Sequence, residues 1–218
     1  MRIQWFGQGA FLLTCDDGER IAIDPFGDVG ALFKRRFYPA VPELEADLLL
    51  VTHEHPDHNA VERVTAGQTI RSTAGRFETS LGDVVGIASE HDATAGTERG
   101  ANVIYRFELD GLKVAHFGDF GQPALRPEQR AALGDVDVLM LPIGGGPTIG
   151  GEPAVRLAEE VGANVVVPMH YRTEAIDFLD PPDEFLAACE AWDIESVETN
   201  EASVNISDRR VLLLAPPS

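Results

Sequence analysis

The 218-residue chain has little cysteine, little lysine and no long apolar run, and each shortage removes a class of protein. Cys15 and Cys189 are its only cysteines, far apart and in no Cys-x-x-Cys pattern, which excludes a disulfide framework and a cysteine-based metal cage. Lys34 and Lys113 are its only lysines, and basic residues number 17 against 36 acidic ones, a formal charge of −19. No window supplies the basic stripe that binding to a polyanionic backbone needs, so no nucleic-acid partner is expected. The acidic excess reads as solubility or adaptation to a salty cytoplasm. No window approaches the roughly 18 unbroken apolar residues of a membrane helix. The opening Met-Arg-Ile-Gln-Trp also lacks a basic stretch followed by an apolar segment. The expectation is a soluble cytoplasmic protein that does not enter a membrane.

What is present is 44% hydrophobic and undivided by repeats or linkers, so a single domain over residues 1–218 with a substantial core is expected. Apolar or alternating runs at 2–6, 10–14, 20–24, 48–52, 84–88, 102–109, 112–118, 136–141, 164–168 and 209–215 predict strands. Asp110-Gly111 predicts a tight type I′ hairpin. Helical patterns cover 152–161, opened by Pro153 and closed by Gly162, and 183–191. Strands, fewer helices and a hairpin make a mixed α/β layered domain. Residues 25–46, with Phe26, Phe33, Phe37 and Tyr38 among glycines and prolines, are expected to form a lid. The glycine-rich stretch 144–151 lacks the Gly-Lys-Ser/Thr ending of a phosphate-binding loop, and is expected instead to bring backbone close to a neighbouring site.

That site is announced by Thr52-His53-Glu54-His55-Pro56-Asp57-His58, directly after an apolar run. Three of the six histidines fall here, which chance clustering explains poorly. Alternate residues leaving a strand aim His53 and His55 to one side, and Asp57 and His58, in the turn beyond Pro56, reach a nearby point. Neutral imidazole with carboxylate suits zinc, manganese or iron. His91, Asp119 and His170 each sit at or just past a predicted strand end, where distant positions converge on one rim. One site built from seven residues is therefore expected.

The pattern His53-x-His55-x-Asp57-His58, then His91, Asp119 and His170, resembles the five metal motifs of the metallo-β-lactamase-fold hydrolases, over roughly residues 1–172. More narrowly, Trp5-Phe6-Gly7-Gln8-Gly9-Ala10, Ile23-Asp24-Pro25, Arg99-Gly100-x-Asn102, His116-Phe117-Gly118-Asp119 and Pro142-Ile143-Gly144-Gly145-Gly146-Pro147-Thr148 resemble a branch of small hydrolases that includes L-ascorbate-6-phosphate lactonase-like proteins. The resemblance implies a four-layered αββα sandwich of two similar halves. It implies that His53, His55 and His91 hold one divalent metal and Asp57, His58 and His170 a second, with Asp119 bridging. It also implies hydrolysis of a small, anionic ester, lactone, amide or phosphodiester by a metal-held hydroxide, with Asp57 and Asp119 catalytic, and a homo-oligomer. Gln8 departs from the histidine that many relatives carry there. Glu54, Glu90 and Asp92 are expected outside the ligand set, His116 in a supporting or structural role, and Arg99, Asn102, Thr148, Tyr171 and Arg172 against substrate or bracing the rim. Iron-dependent oxidation and metal-stabilised binding without turnover are the rival readings.

Overall fold

In the computed structural model, which describes residues 1–206 and 209–217, two sheets pack face to face. The chain begins with β1 (Arg2–Gly7), β2 (Ala10–Thr14), β3 (Arg20–Ile23), the short helix α1 (Val29–Phe33), β4 (Leu44–Val51) and β5 (Val64–Arg71). It continues through β6 (Gly75–Thr79), β7 (Gly82–Glu90), β8 (Ala101–Leu109), β9 (Leu112–His116), α2 (Pro127–Leu133) and β10 (Val138–Pro142). Last come α3 (Gly151–Glu160), β11 (Val165–Met169), α4 (Asp183–Ala188), β12 (Asp193–Val197), β13 (Glu201–Ser203) and β14 (Arg210–Leu214). One sheet has the order β13-β1-β2-β3-β4-β5, the other β12-β14-β11-β10-β9-β8-β7-β6.

Side-chain alternation builds the layers. Along β3 and β4, Ile21, Ile23, Leu48 and Leu50 join the core between the sheets, whereas Ala22, Leu49 and Val51 face the opposite way, onto Phe26, Val29, Tyr38 and Val41. The outer face of the eight-stranded sheet is covered by helices, through Leu133 of α2, Ala154, Leu157 and Ala158 of α3, and Phe185 of α4. The outer face of the six-stranded sheet is covered by α1 and irregular segments, so that layer of the αββα sandwich is thin. The duplication is visible in strand direction. β1-β2-β3-β4-β5 pair antiparallel, antiparallel, parallel, parallel, and β7-β8-β9-β10-β11 repeat that series.

Several expectations need correction. The segment 25–46, expected to be a loop, contains α1 and ends in the first residues of β4, which starts at Leu44. The helix expected over 183–191 stops at Ala188. β5, β6, β12, β13 and α2 were not expected; β5 alternates buried with exposed residues around Gly67, and β12 is an edge strand with four exposed residues, so neither has an apolar run. The Asp110-Gly111 hairpin forms as expected, with φ of 50° and 73°.

Candidate metal centre

β7, β9, β10 and β11 run in one direction, so the loops that leave them open on one rim, and the loop leaving β4 meets them there. His91 directly follows β7, Asp119 follows β9 through Phe117 and Gly118, and His170 directly follows β11. His53, His55, Asp57 and His58 occupy the loop after β4. All seven expected residues come together. Ligand-capable atoms of His53, His55 and His91 lie within 4.8 Å of one another, and so do those of Asp57, His58 and His170. Between the triads sits one oxygen, Asp119 Oδ2, at 3.8 Å from His53 Nε2, 3.4 Å from His58 Nε2, 3.0 Å from His91 Nε2 and 3.2 Å from His170 Nε2.

The hydrogen-bond network assigns the tautomers. Asp24 accepts from the Thr52 amide at 2.7 Å, the Thr52 hydroxyl at 2.6 Å and His58 Nδ1 at 2.9 Å. With its proton given to Asp24, the Thr52 hydroxyl has only lone pairs for His53 Nδ1, 3.0 Å away, so His53 donates there. His91 Nδ1 donates to the Pro147 carbonyl at 3.0 Å. In its neutral form each of the three rings therefore carries its hydrogen on Nδ1 and turns a bare Nε2 lone pair toward Asp119.

Lone pairs facing a carboxylate repel unless a positive charge lies between them. His53 Nε2, His58 Nε2 and Asp119 Oδ1 are buried without any hydrogen-bond partner among the described residues. Protons cannot serve the whole cluster. Burial opposes charge on His58, yet Asp119, Asp57 and Asp24 hold its imidazole well above the ordinary value. Burial, aided by His58, pushes His53 well below it. Burial raises the Asp119 carboxyl, but His170 and His58 outweigh that and hold it well below the ordinary range. Divalent cations held by these nitrogens and oxygens would satisfy the bare lone pairs, and the neutral-imidazole and carboxylate donor set fits them.

The flanking acids are engaged elsewhere. Glu54 pairs with Arg71 at 2.6 Å and accepts from Ser72, which takes its carboxyl down to about 2. Glu90 holds Arg126, and Asp92 caps its own turn by accepting from Thr94, Gly96, Glu98 and Arg99. His116 is structural, with Nδ1 accepting from the Gly118 amide and Nε2 donating to the Gly9 carbonyl. Asn102 accepts from the Asp119 amide and donates to Ser89 and the Phe117 carbonyl, bracing the turn that carries Asp119. Thr148, Tyr171 and Arg172 also brace: Thr148 within its own loop, Tyr171 stacked on Trp5, and Arg172 on the Leu179 carbonyl. Of that group only Arg99 lines the pocket above the cluster. Gln8 is buried, at φ 47°, with no partner for its side-chain amide among the described residues.

Sequence reasoning missed the bracing roles of Asp24 and Thr52, although a carboxylate at the end of an apolar strand was a readable signal. It also missed Phe178, which faces the pocket from a loop with no distinguishing motif. The glycine-rich loop does what was expected, placing Pro147 on His91 and Gly144 against the His170 carbonyl.

Known proteins resemble this chain in both sequence and fold. The β-lactamase superfamily domain profile matches residues 2–170. A UPF0173 metal-dependent hydrolase from Thermococcus kodakarensis is 31% identical over 214 residues, covering 85% of this chain and 90% of that protein. Another from Archaeoglobus fulgidus is 32% identical over 215 residues, covering 84% and 88%. A crystal structure from Thermotoga maritima, assigned as a Zn-dependent hydrolase of the metallo-β-lactamase superfamily, superposes with a TM-score of 0.77 at 29% identity, covering 98% and 97%. None of these three carries a lactonase name. With the profile spanning most of its length and relatives of that identity along most of theirs, the chain belongs to the metallo-β-lactamase superfamily, among the UPF0173 metal-dependent hydrolases.

Proposed function

We propose that this protein is a cytoplasmic binuclear hydrolase of small esters, lactones, amides or phosphodiesters, with zinc as its metal and manganese or iron as substitutes. The reading rests above all on one observation, the four imidazole Nε2 atoms around a single oxygen of Asp119. His53, His55 and His91 would hold one ion, Asp57, His58 and His170 the other, and Asp119 both. Divalent cations at such a site supply the acidity that makes water a nucleophile near neutral pH. The chain supplies the rest. Asp24, Thr52 and Pro147 fix three rings with Nε2 forward. Of the two candidate ligand carboxylates that line the pocket Asp57 is the more exposed, and it is placed to pass a proton to the leaving group.

Hydrolysis in oxygen-18 water tests this reading on a panel of the four bond types. One labelled oxygen in product, with metal content near two ions per chain, is the expected result. Full activity after exhaustive chelation refutes it.

A further inference from the structure

Substrate reaches the cluster through a pocket of about 310 Å³, at the small end of ligand-binding cavities, where Phe33, Phe178 and Arg99 stand beside the candidate ligands. Phe33 and Phe178 line it and are 42% and 41% exposed, two of only five large apolar side chains so exposed among the described residues. Neither is loose. Phe33 packs edge-on against Phe37 at 6.4 Å, and Phe37 against Phe26 at 5.3 Å, which is fully buried. The segment carrying Phe33 is tied to the segment carrying Phe178 by the Tyr38 and Thr173 hydroxyls, 2.7 Å apart. The Arg35 guanidinium also lies over the Phe178 ring, 5.5 Å from its centre. Two ordered aromatic faces are thus held open to solvent at the entrance, and leaving them wet is unfavourable.

The second component is positive charge where the sequence has little of it. Arg99 lines the same pocket, and Lys34, Arg35 and Arg36 directly follow Phe33. None of the four makes an ion pair among the described residues, in a chain whose acidic residues outnumber its basic ones by 36 to 17. A guanidinium left without a carboxylate partner in such surroundings is available to an anion.

We propose that the substrate is a ring-bearing or similarly apolar anion, its apolar group seated between Phe33 and Phe178 and its fixed negative charge facing Arg99 and Arg35. The proposal rests on the hydrolase reading for the direction of the scissile bond, which would point toward His55 and Asp57. It also explains how an acidic protein admits an anion: long-range repulsion is screened beyond about 8 Å at physiological salt, whereas contact with guanidinium persists.

The test is equilibrium binding to the metal-loaded protein, by calorimetry, of N-phenylacetylglycine, its neutral glycinamide, ring-free N-acetylglycine, and benzylphosphonate. N-Phenylacetylglycine or benzylphosphonate should bind about tenfold tighter than the neutral and ring-free probes, and the tighter of the two names the anion. Arg99→Ala should weaken the charged ring probes about fivefold and the glycinamide less than twofold, with Arg99→Lys restoring most of the loss. Phe178→Ala should weaken every ring probe and leave N-acetylglycine unchanged. Equal affinity for charged and neutral ring probes, no measurable binding, or a charge preference that survives Arg99→Ala with Arg35→Ala, overturns the proposal; the last result puts the anion on the metals. A matched ester series separates it from the hydrolase reading. No turnover with the binding preference intact sinks hydrolysis alone, and fast turnover of neutral, ring-free esters sinks the recognition alone.

Discussion

Asp24 accepts three hydrogen bonds at the end of β3, and everything it orients lies in the loop after β4. Asp24→Asn keeps the shape but presents N–H where the carboxylate accepted from His58 and Thr52. Two donors then face each other, His58 gains most by moving its hydrogen to Nε2, and the lone pair aimed at Asp119 is lost. Metal affinity should fall about 10- to 100-fold in a chelator-competition titration, with circular dichroism unchanged. Wild-type affinity in Asp24→Asn would show that the carboxylate does not set the ring. The cysteines give a prediction independent of metal. Burial pushes the thiols of Cys15 and Cys189 up to about 11, because the charged thiolate loses solvation. A raised folded pKa means that the neutral thiol favours the native state, a contribution present below the unfolded value of 9.0 and lost as pH climbs through about 11. Iodoacetamide labelling of native protein should therefore keep accelerating beyond about pH 10, where the guanidinium-unfolded chain has nearly levelled off.

The turns that end strands carry as much of the site as the strands. Gly118 has φ 54°, and a methyl group there would lie 2.7 Å from the Thr52 side chain and closer still to the Asn102 amide oxygen. Gly118→Ala should cost about 2 kcal/mol or more in denaturant unfolding and lower metal affinity, since it displaces Thr52, Asn102 and Asp119 together. Gly111→Ala is the control. Its φ is 73° with nothing within 4 Å of the added carbon, so about 1 kcal/mol of backbone strain and no change in metal affinity are expected. At this scale the sequence was legible where burial is complete or a turn has its own chemistry. β10 and β11 are buried at every position, and Asp110-Gly111 needs positive φ. β5 and β12 are half-wet edge strands held by pairing with β4 and β14 and not by an apolar run of their own, so nothing local reveals them. The candidate ligands were legible because three of six histidines crowd one short segment, whereas His116 at the end of β9 shows that a strand-end imidazole alone is no ligand. Asp24 and Asn102 act through other residues and so leave no spacing to read. The duplication was hidden for the same reason. By strand direction Asp24 after β3 matches Asp119 after β9, and Gln8 after β1 matches His91 after β7, so the halves agree in backbone while their side chains have taken different work.

Viewed as a whole, the molecule gathers its seven candidate ligands from both sheets, so bound cations would tie one to the other. Ligand held at about 100 times its Kd stabilises the native state by about 2.7 kcal/mol, or roughly 5–10 °C in Tm for a domain this size. Chelation should lower Tm by that order. The net charge of −19 then sets how the difference responds to salt. On the proposed reading, removing two divalent cations would add four negative charges to a chain already in excess, so the chelated form would carry the greater self-repulsion. At low salt the screening length is about 30 Å, comparable with the size of the molecule, and the whole negative field both attracts cations and strains the chelated protein. By about 0.15 M it falls to about 8 Å, and only nearby charges count. The Tm gap between loaded and chelated protein should therefore narrow as sodium chloride rises over that range, mainly through a rise in the Tm of the chelated form. A gap that stays constant in calorimetric scans would mean that the cation site is shielded from the protein's own field, and that its affinity is set by the local carboxylates alone.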